Sequence, residues 1–170
     1  MGADIHVYME YKNENSEWEY LYIQDQNGDK VDWYDRNYTL FGLLADVRAQ
    51  FDCPYTNSYR GIPSDASAEV TEQYEEYADI WHTPTWYSMS ELQLISAWIE
   101  NYKNKIENKF NILNAQNKIS LDDINELNYE LEEIADMQDA IDNFINFCSL
   151  IANINFKQFN ELRVIIWFDN

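Results

Sequence analysis

Apolar and polar residues alternate at the start of the chain. Ala3, Ile5, Val7, Met9 and Tyr11 fall on one side, and Asp4, His6, Tyr8 and Glu10 on the other. A period of two sustained this long predicts a half-buried strand. Residues 17–24, EWEYLYIQ, predict a second strand with Trp18, Tyr20 and Tyr22 on a common face, and the Asn-Glu-Asn-Ser between the two suits a hairpin. Asn27-Gly28 signals a turn, after which 30–34 reads as a further short strand.

The period then changes. Residues 39–49, TLFGLLADVRA, have helical apolar spacing in spite of Gly42, and 50–63, with Pro54, Gly61 and Pro63, reads as a loop. Ser64 or Ser67 suits the cap of a short acidic helix running to about Tyr77, with Val70, Tyr74 and Tyr77 on one stripe. Residues 81–87 read as an aromatic loop around Pro84. Ser90 precedes a helix over 91–115, and Ser120-Leu-Asp-Asp opens another over 120–152, both with inward-facing apolar positions at helical spacing. These two predict an antiparallel helical hairpin, packed on the sheet or on a second subunit in a homo-oligomer. The close, LRVIIWF at 162–168, is typical of an interior strand. The economical assembly is α+β: a small, mainly antiparallel sheet of three to five strands, including the Asp4 and Val164 strands, covered by helices. The whole chain reads as a single domain, with a core of 1–98 plus 160–170 and a helical elaboration at about 99–155.

Composition narrows the classes. At 46% hydrophobic and 16% aromatic residues in 170, the chain carries too much apolar surface for a disordered segment. Cys53 and Cys148 fit no metal or redox spacing and read as reduced thiols. No signal-peptide pattern and no apolar run of about 18 residues is present, so a cytosolic protein is expected. A net charge of −20 repels nucleic acid and anionic membranes. The charge is uneven, however. Residues 36–60 hold Arg36, Arg48 and Arg60 against Asp46 and Asp52, a local +1 in a chain with four arginines in all.

Candidate chemistry collects around that island. Asp4 and His6 share a strand face and can bind a metal, orient a base or hold a ligand's polar edge, or simply form a solvated surface. Arg36-Asn37-Tyr38 follows Trp33-Tyr34-Asp35, a guanidinium fork suited to phosphate beside rings that can stack a base; an Arg36–Asp35 surface pair uses the same pieces. Arg60-Gly61-Ile62-Pro63 offers an Arg on a stiff loop that a ligand can approach, or a rigid turn with an exposed Arg. His82 lies between Trp81 and Trp86, and Asp169-Asn170 follows the last strand. Nine acids and no base between Ser120 and Asp142 form a solvated helix face or, in the sharper reading, a DNA-mimicking or protein-binding ladder. No phosphate loop, hydrolase elbow, zinc spacing or other established enzyme motif occurs, and no cofactor is implied.

Several segments together, MGADIHVYMEYK, DRNYTLFGLLADVR, RGIPSDASAEV, HTPTW and VIIWFDN, resemble a largely uncharacterised family of small phage and prophage proteins. Its members often begin Met-Gly-Cys-Asp-Ile-His and carry Arg-Asn-Tyr, Arg-Gly-x-Pro and a closing Phe-Asp. The similarity spans roughly 1–98 and 162–170, with Ala3 where Cys is usual, which argues against an obligatory thiol there. It implies phage origin, and with it residence in the host cytosol, better than it implies an activity; an anti-defence role is the expectation drawn from that origin. Its matching positions are Asp4, His6, Arg36, Asn37, Arg60, Gly61, His82 and Trp86. The leading expectation is a binder that sequesters a small anionic nucleotide-derived immune signal, using Asp4, His6, Arg36, Asn37, Tyr38, Arg48, Arg60, Gly61, His82, Trp86 and Asp169. The enzyme alternative is a metal-assisted phosphoester hydrolase with Asp4, His6, His82 and Asp169 around the ion.

Overall fold

A computed structural model describes residues 2–169, apart from the side chain of Phe159. In chain order the elements are β1 (Asp4–Lys12), β2 (Trp18–Leu21), α1 (Tyr38–Ala45), α2 (Ala68–Glu76), β3 (His82–Ser88), α3 (Met89–Ala115), α4 (Leu121–Ile154), a single 3-10 turn and β4 (Leu162–Asp169). The strands form one sheet in the order β2-β1-β4-β3, every neighbouring pair antiparallel. The fold is α+β, as the patterning predicts, and the first and last strands lie side by side.

Register determines what each face carries. Asp4 stands opposite Asp169, His6 opposite Trp167, Tyr8 opposite Ile165 and Glu10 opposite Arg163. The other set of β1 and β4 side chains, among them Ile5, Val7, Met9, Val164, Ile166 and Phe168, is buried with α1, α3 and α4 in the main core. On the opposite face Ile165 and Trp167 meet Val70 of α2, with Tyr8, Tyr20, Tyr74, Trp81 and Trp86 packed around them. Both faces of β4 are therefore covered, which is why its sequence runs apolar without alternation.

That second face also buries a charge network. Glu10 is 0% and Arg163 3% exposed. Arg163 Nε donates to Glu10 Oε2 at 2.7 Å and Nη1 to Asp65 Oδ1 at 2.7 Å, while the Ser67 N–H donates to Glu10 Oε1 at 2.6 Å. The guanidinium lies 3.9 Å from the Trp18 ring centre. The network ties β1, β4 and the segment leading into α2 together.

Element ends depart from the sequence reading for local reasons. Residues 81–87, read as an aromatic loop, fall almost wholly in the edge strand β3 (His82–Ser88). Its ladder with β4 slips between His82 and Thr85, where Thr83 has a φ of 50°, and an edge strand with a bulge tolerates Pro84. The short strand expected at 30–34 reduces to one bridge between Gln24 and Lys30. The first helix stops at Ala45, because Asp46 turns left-handed (φ 55°) and returns its N–H to the Gly42 and Phe41 carbonyls. Gly42 itself is required: a Cβ there would stand 2.7 Å from Ala49 Cβ and 2.8 Å from Phe51. Ser67 caps α2. The cap of α3 is Ser88, not Ser90, with Glu91 completing a capping box, and Ser120 and Asp123 form the same box on α4.

Candidate functional site

β2 pairs only with Met9–Lys12, so the Asp4–Tyr8 half of β1 has no strand on its outer side. The 30–35 segment runs past this edge instead, held off by Trp33, whose ring packs edge-on against Phe144 and Phe147 of α4, each 5.3 Å away. Trp33 Nε1 donates to the Asp35 carbonyl at 3.1 Å. Between segment and strand lies a cleft of about 350 Å³, with Asp4, His6 and Tyr8 on the strand side and Lys30, Asp32 and Tyr34 on the other.

Each end of the cleft carries a cation on a carboxylate. Arg36 grips Asp4 with Nε and Nη2, at 2.5 and 2.6 Å, and both side chains are half-exposed. This guanidinium holds the Asp4 carboxyl below the usual aspartate range, against a small opposing effect of burial. Gly2 makes room for it, since a Cβ there would meet Arg36 Nη1 at 2.8 Å. Towards the other end, Lys30 pairs with Asp32 at 2.5 Å and sits 4.2 Å above the Tyr8 ring centre. Burial raises the Tyr8 phenol above its ordinary value, with Lys30 opposing, so it stays a neutral hydroxyl at pH 7.

Alongside Asp4, His6 Nε2 meets Asp169 Oδ2 at 3.2 Å, and Asp169 Oδ1 accepts the Asp4 N–H at 3.3 Å. The imidazole is flanked by Trp81, 4.4 Å between ring centres, and Trp167. Asp4, His6, Arg36 and Asp169 thus converge at one corner of the sheet. Asn170 lies outside the described residues.

Tyr38 packs edge-on against Phe41 and keeps its hydroxyl at the same corner, where a Cβ on Gly2 would meet it at 3.3 Å. The other expected site residues are elsewhere. Asn37 caps α1, its Oδ1 accepting the Leu40 N–H at 3.0 Å. Arg48 follows the far end of α1, on a left-handed backbone (φ 65°). Arg60 is bound bidentately to Glu91 at 3.1 and 2.5 Å, donates to the Trp86 carbonyl at 2.9 Å and lies 4.7 Å from the Trp86 ring centre. Burial pushes the Glu91 carboxyl up, but Arg60 and the Ser88 N–H and hydroxyl outweigh it, leaving the group below its ordinary value. Gly61, with a φ of 72°, ties this loop to β3 through its N–H on the Pro84 carbonyl at 3.0 Å. His82 hydrogen-bonds Thr83 at 3.0 Å and stacks on Phe168. The arginines are therefore not one cluster: Arg36 stands at the Asp4 corner, whereas Arg60 joins the junction of β3 and α3.

Lys30, Asp32 and Trp81 are the contributors that sequence reasoning passed over. Lys30 carried a signal, as the only lysine between Lys12 and Lys103. The metal arrangement fails a test of geometry. Among the described residues, no group of three or more His, Cys, Asp or Glu side chains is placed to hold an ion. Likewise, no helix is long and apolar enough to cross a membrane among the described residues.

Compared with protein-family models, curated proteins and solved structures, the chain matches none of them.

Proposed function

We propose that the protein binds and sequesters a small anionic, nucleotide-type ligand in the cleft beside β1. The observation that carries this reading is the cleft's arrangement: aromatic rings along its wall and a cation towards each end. From Asp4 to Tyr8 the strand rises about 13 Å, a length suited to a base and a sugar-phosphate. The volume lies within the about 300–1,000 Å³ common to small-ligand sites. Tyr34, 82% exposed, offers a ring face to a base, while Lys30 in the cleft lining and Arg36 on Asp4 offer the donors a phosphate needs.

Both cations already hold carboxylates, which sets how an anion enters. Asp4 and Asp32 have side chains 50% and 39% exposed. Ion pairs this open contribute about 0–1 kcal/mol, so a phosphate with more charge and more acceptor atoms can displace them cheaply. Sequestration, as opposed to turnover, is supported by the lack of an enzyme motif, and a host immune signal as ligand by the resemblance to small phage proteins.

Calorimetry against cyclic dinucleotides, cyclic ADP-ribose isomers and nucleoside monophosphates is the direct test. Binding should vanish in Arg36→Ala and fall in Lys30→Ala, while Arg60→Ala, remote from the cleft, should leave it unchanged in folded protein. Silence from the whole panel at roughly tens of micromolar protein, or binding indifferent to Arg36 and Lys30, would sink the proposal.

One observation favours an enzymatic second reading. Asp169 holds His6 Nε2 beside the cleft, the arrangement of an oriented general base. Such a base would take a proton from water attacking a phosphoester, with the leaving oxygen reprotonated by solvent. Chromatography of the denatured mixture separates the readings, since recovered ligand means sequestration and a new product means hydrolysis.

A further inference from the structure

The helical hairpin outruns the body that supports it. Fully buried positions on α3 stop at Ile99, and those on α4 begin at Ile134. Residues 100–115 and 121–133 therefore form a two-helix arm, about 24 Å long at 1.5 Å per residue. Its seam is only half closed: Tyr102, Ile106, Phe110 and Leu113 on α3 and Ile124, Leu127 and Leu131 on α4 are all half-buried, and none is fully buried. A shallow groove runs along the seam with Ile106, Phe110, Leu113, Ile119 and Leu127 at its base. Two helices alone cannot enclose an apolar stripe, which is why bundles add a third and fourth.

Charge identifies what completes it. The α3 side of the arm and the turn after it carry Lys103, Lys105, Lys109 and Lys118, four of the chain's seven lysines, against Glu100 and Glu107, a net +2. The α4 side, 121–133, carries Asp122, Asp123, Glu126, Glu130, Glu132 and Glu133 with no base. Among the described residues, no ion pair within 4.0 Å joins these lysines to these acids, although the Asp123 carboxyl, held low chiefly by the Ser120 hydrogen bonds, is lowered further by Lys109 across the groove. A basic partner would match one rim and an acidic partner the other. A second copy matches both at once, because a two-fold axis lays each rim on its opposite.

We propose that the arm is a self-association surface. Two arms pack groove to groove about a two-fold axis, α3 of one copy against α4 of its partner, to complete a four-helix bundle. The inference is independent of the ligand proposed for the cleft. Each arm face offers about 500 Å² (about 24 by 20 Å), so the interface totals about 1,000 Å², at the small end of specific contacts. A dimer dissociating at roughly ten micromolar is expected.

Charge swaps test the pairing without touching the core. Lys105, Lys109 and Glu126 are exposed and Glu130 is half-exposed. Sedimentation velocity at about 0.15 M salt, where the remote net charge is screened beyond about 8 Å, should show wild type as a dimer of the 20.3 kDa chain. K105E/K109E, which sets acids against Glu126 and Glu130 of the partner, and E126K/E130K, which sets lysines against Lys105 and Lys109 of the partner, should each be monomeric. Mixed in equal amounts they should form a heterodimer, since both rims are again opposed. A wild type that stays monomeric at about 100 µM, swaps that dimerise as well as wild type, or monomeric swaps that mixing fails to rescue would each overturn the proposal.

Discussion

Replacing Arg163 with Met removes the cation from a carboxylate that has no access to water. Glu10 is 0% exposed, and its remaining hydrogen bond is the Ser67 N–H on Oε1. The Met stem fills most of the space of the arginine's methylenes, so the loss is chiefly electrostatic. Breaking a buried pair from one side costs about 3–5 kcal/mol, because the stranded charge keeps its desolvation penalty without its partner. Asp65 adds little, as its side chain is 66% exposed and can return to water. For a chain of this length each kcal/mol moves the midpoint by about 2–4 °C, so Arg163→Met should melt on the order of 10 °C below wild type. Urea titration at pH 7 gives the free energy directly. Glu10→Gln/Arg163→Met supplies the control: the amide oxygen still accepts from Ser67 but carries no charge, and part of the loss should return. If Arg163→Met lies within about 1 kcal/mol of wild type, or the double variant is less stable than the single, the stranded-charge reasoning is wrong.

Gly42→Ala should destabilise by about 1–3 kcal/mol in the same titration, since its Cβ would press on Ala49 and Phe51. The Asp4–Arg36 pair carries an acid signature. Because the folded Asp4 pKa is depressed, its stabilisation is present above the unfolded value of about 4 and is lost as pH falls through the folded value. The small stability gap between wild type and Arg36→Ala should therefore close on acidification below pH 4, and a gap constant from pH 7 to strongly acid would contradict it. Both thiols are buried, and burial pushes Cys148 up to about 12. A thiol-specific chromogenic reagent should accordingly react slowly with native protein and titrate both cysteines at once in denaturant; prompt native labelling of Cys148 would refute its inert environment.

Local chemistry wrote much of the fold into the chain. The strict alternation over Ala3–Tyr11 assigned the two faces of β1 correctly, because a strand's side-chain period admits no other reading. The helical spacing, with Ser120 ahead of its run, marked α4 almost to the residue, since a cap satisfies backbone donors within its own turn. What the sequence could not determine was partnership across distance. Residues 82–88 were illegible as a strand because only β4, nearly 80 residues later, supplies the ladder that holds Pro84 and Thr83 in place. The three arginines of 36–60 looked like one site because they are close in sequence. The packing of α1 sends Arg36 to Asp4 and Arg48 to the opposite end of the helix, and Arg60 finds Glu91 at the start of α3. Lys30 reached the cleft, and Arg163 its buried pair with Glu10, through register and loop packing alone. Periodicity and capping act over a few residues and are therefore readable in order along the chain. Ion pairing and cleft formation join residues up to about 160 positions apart, and their outcome depends on which surfaces the hydrophobic core brings together.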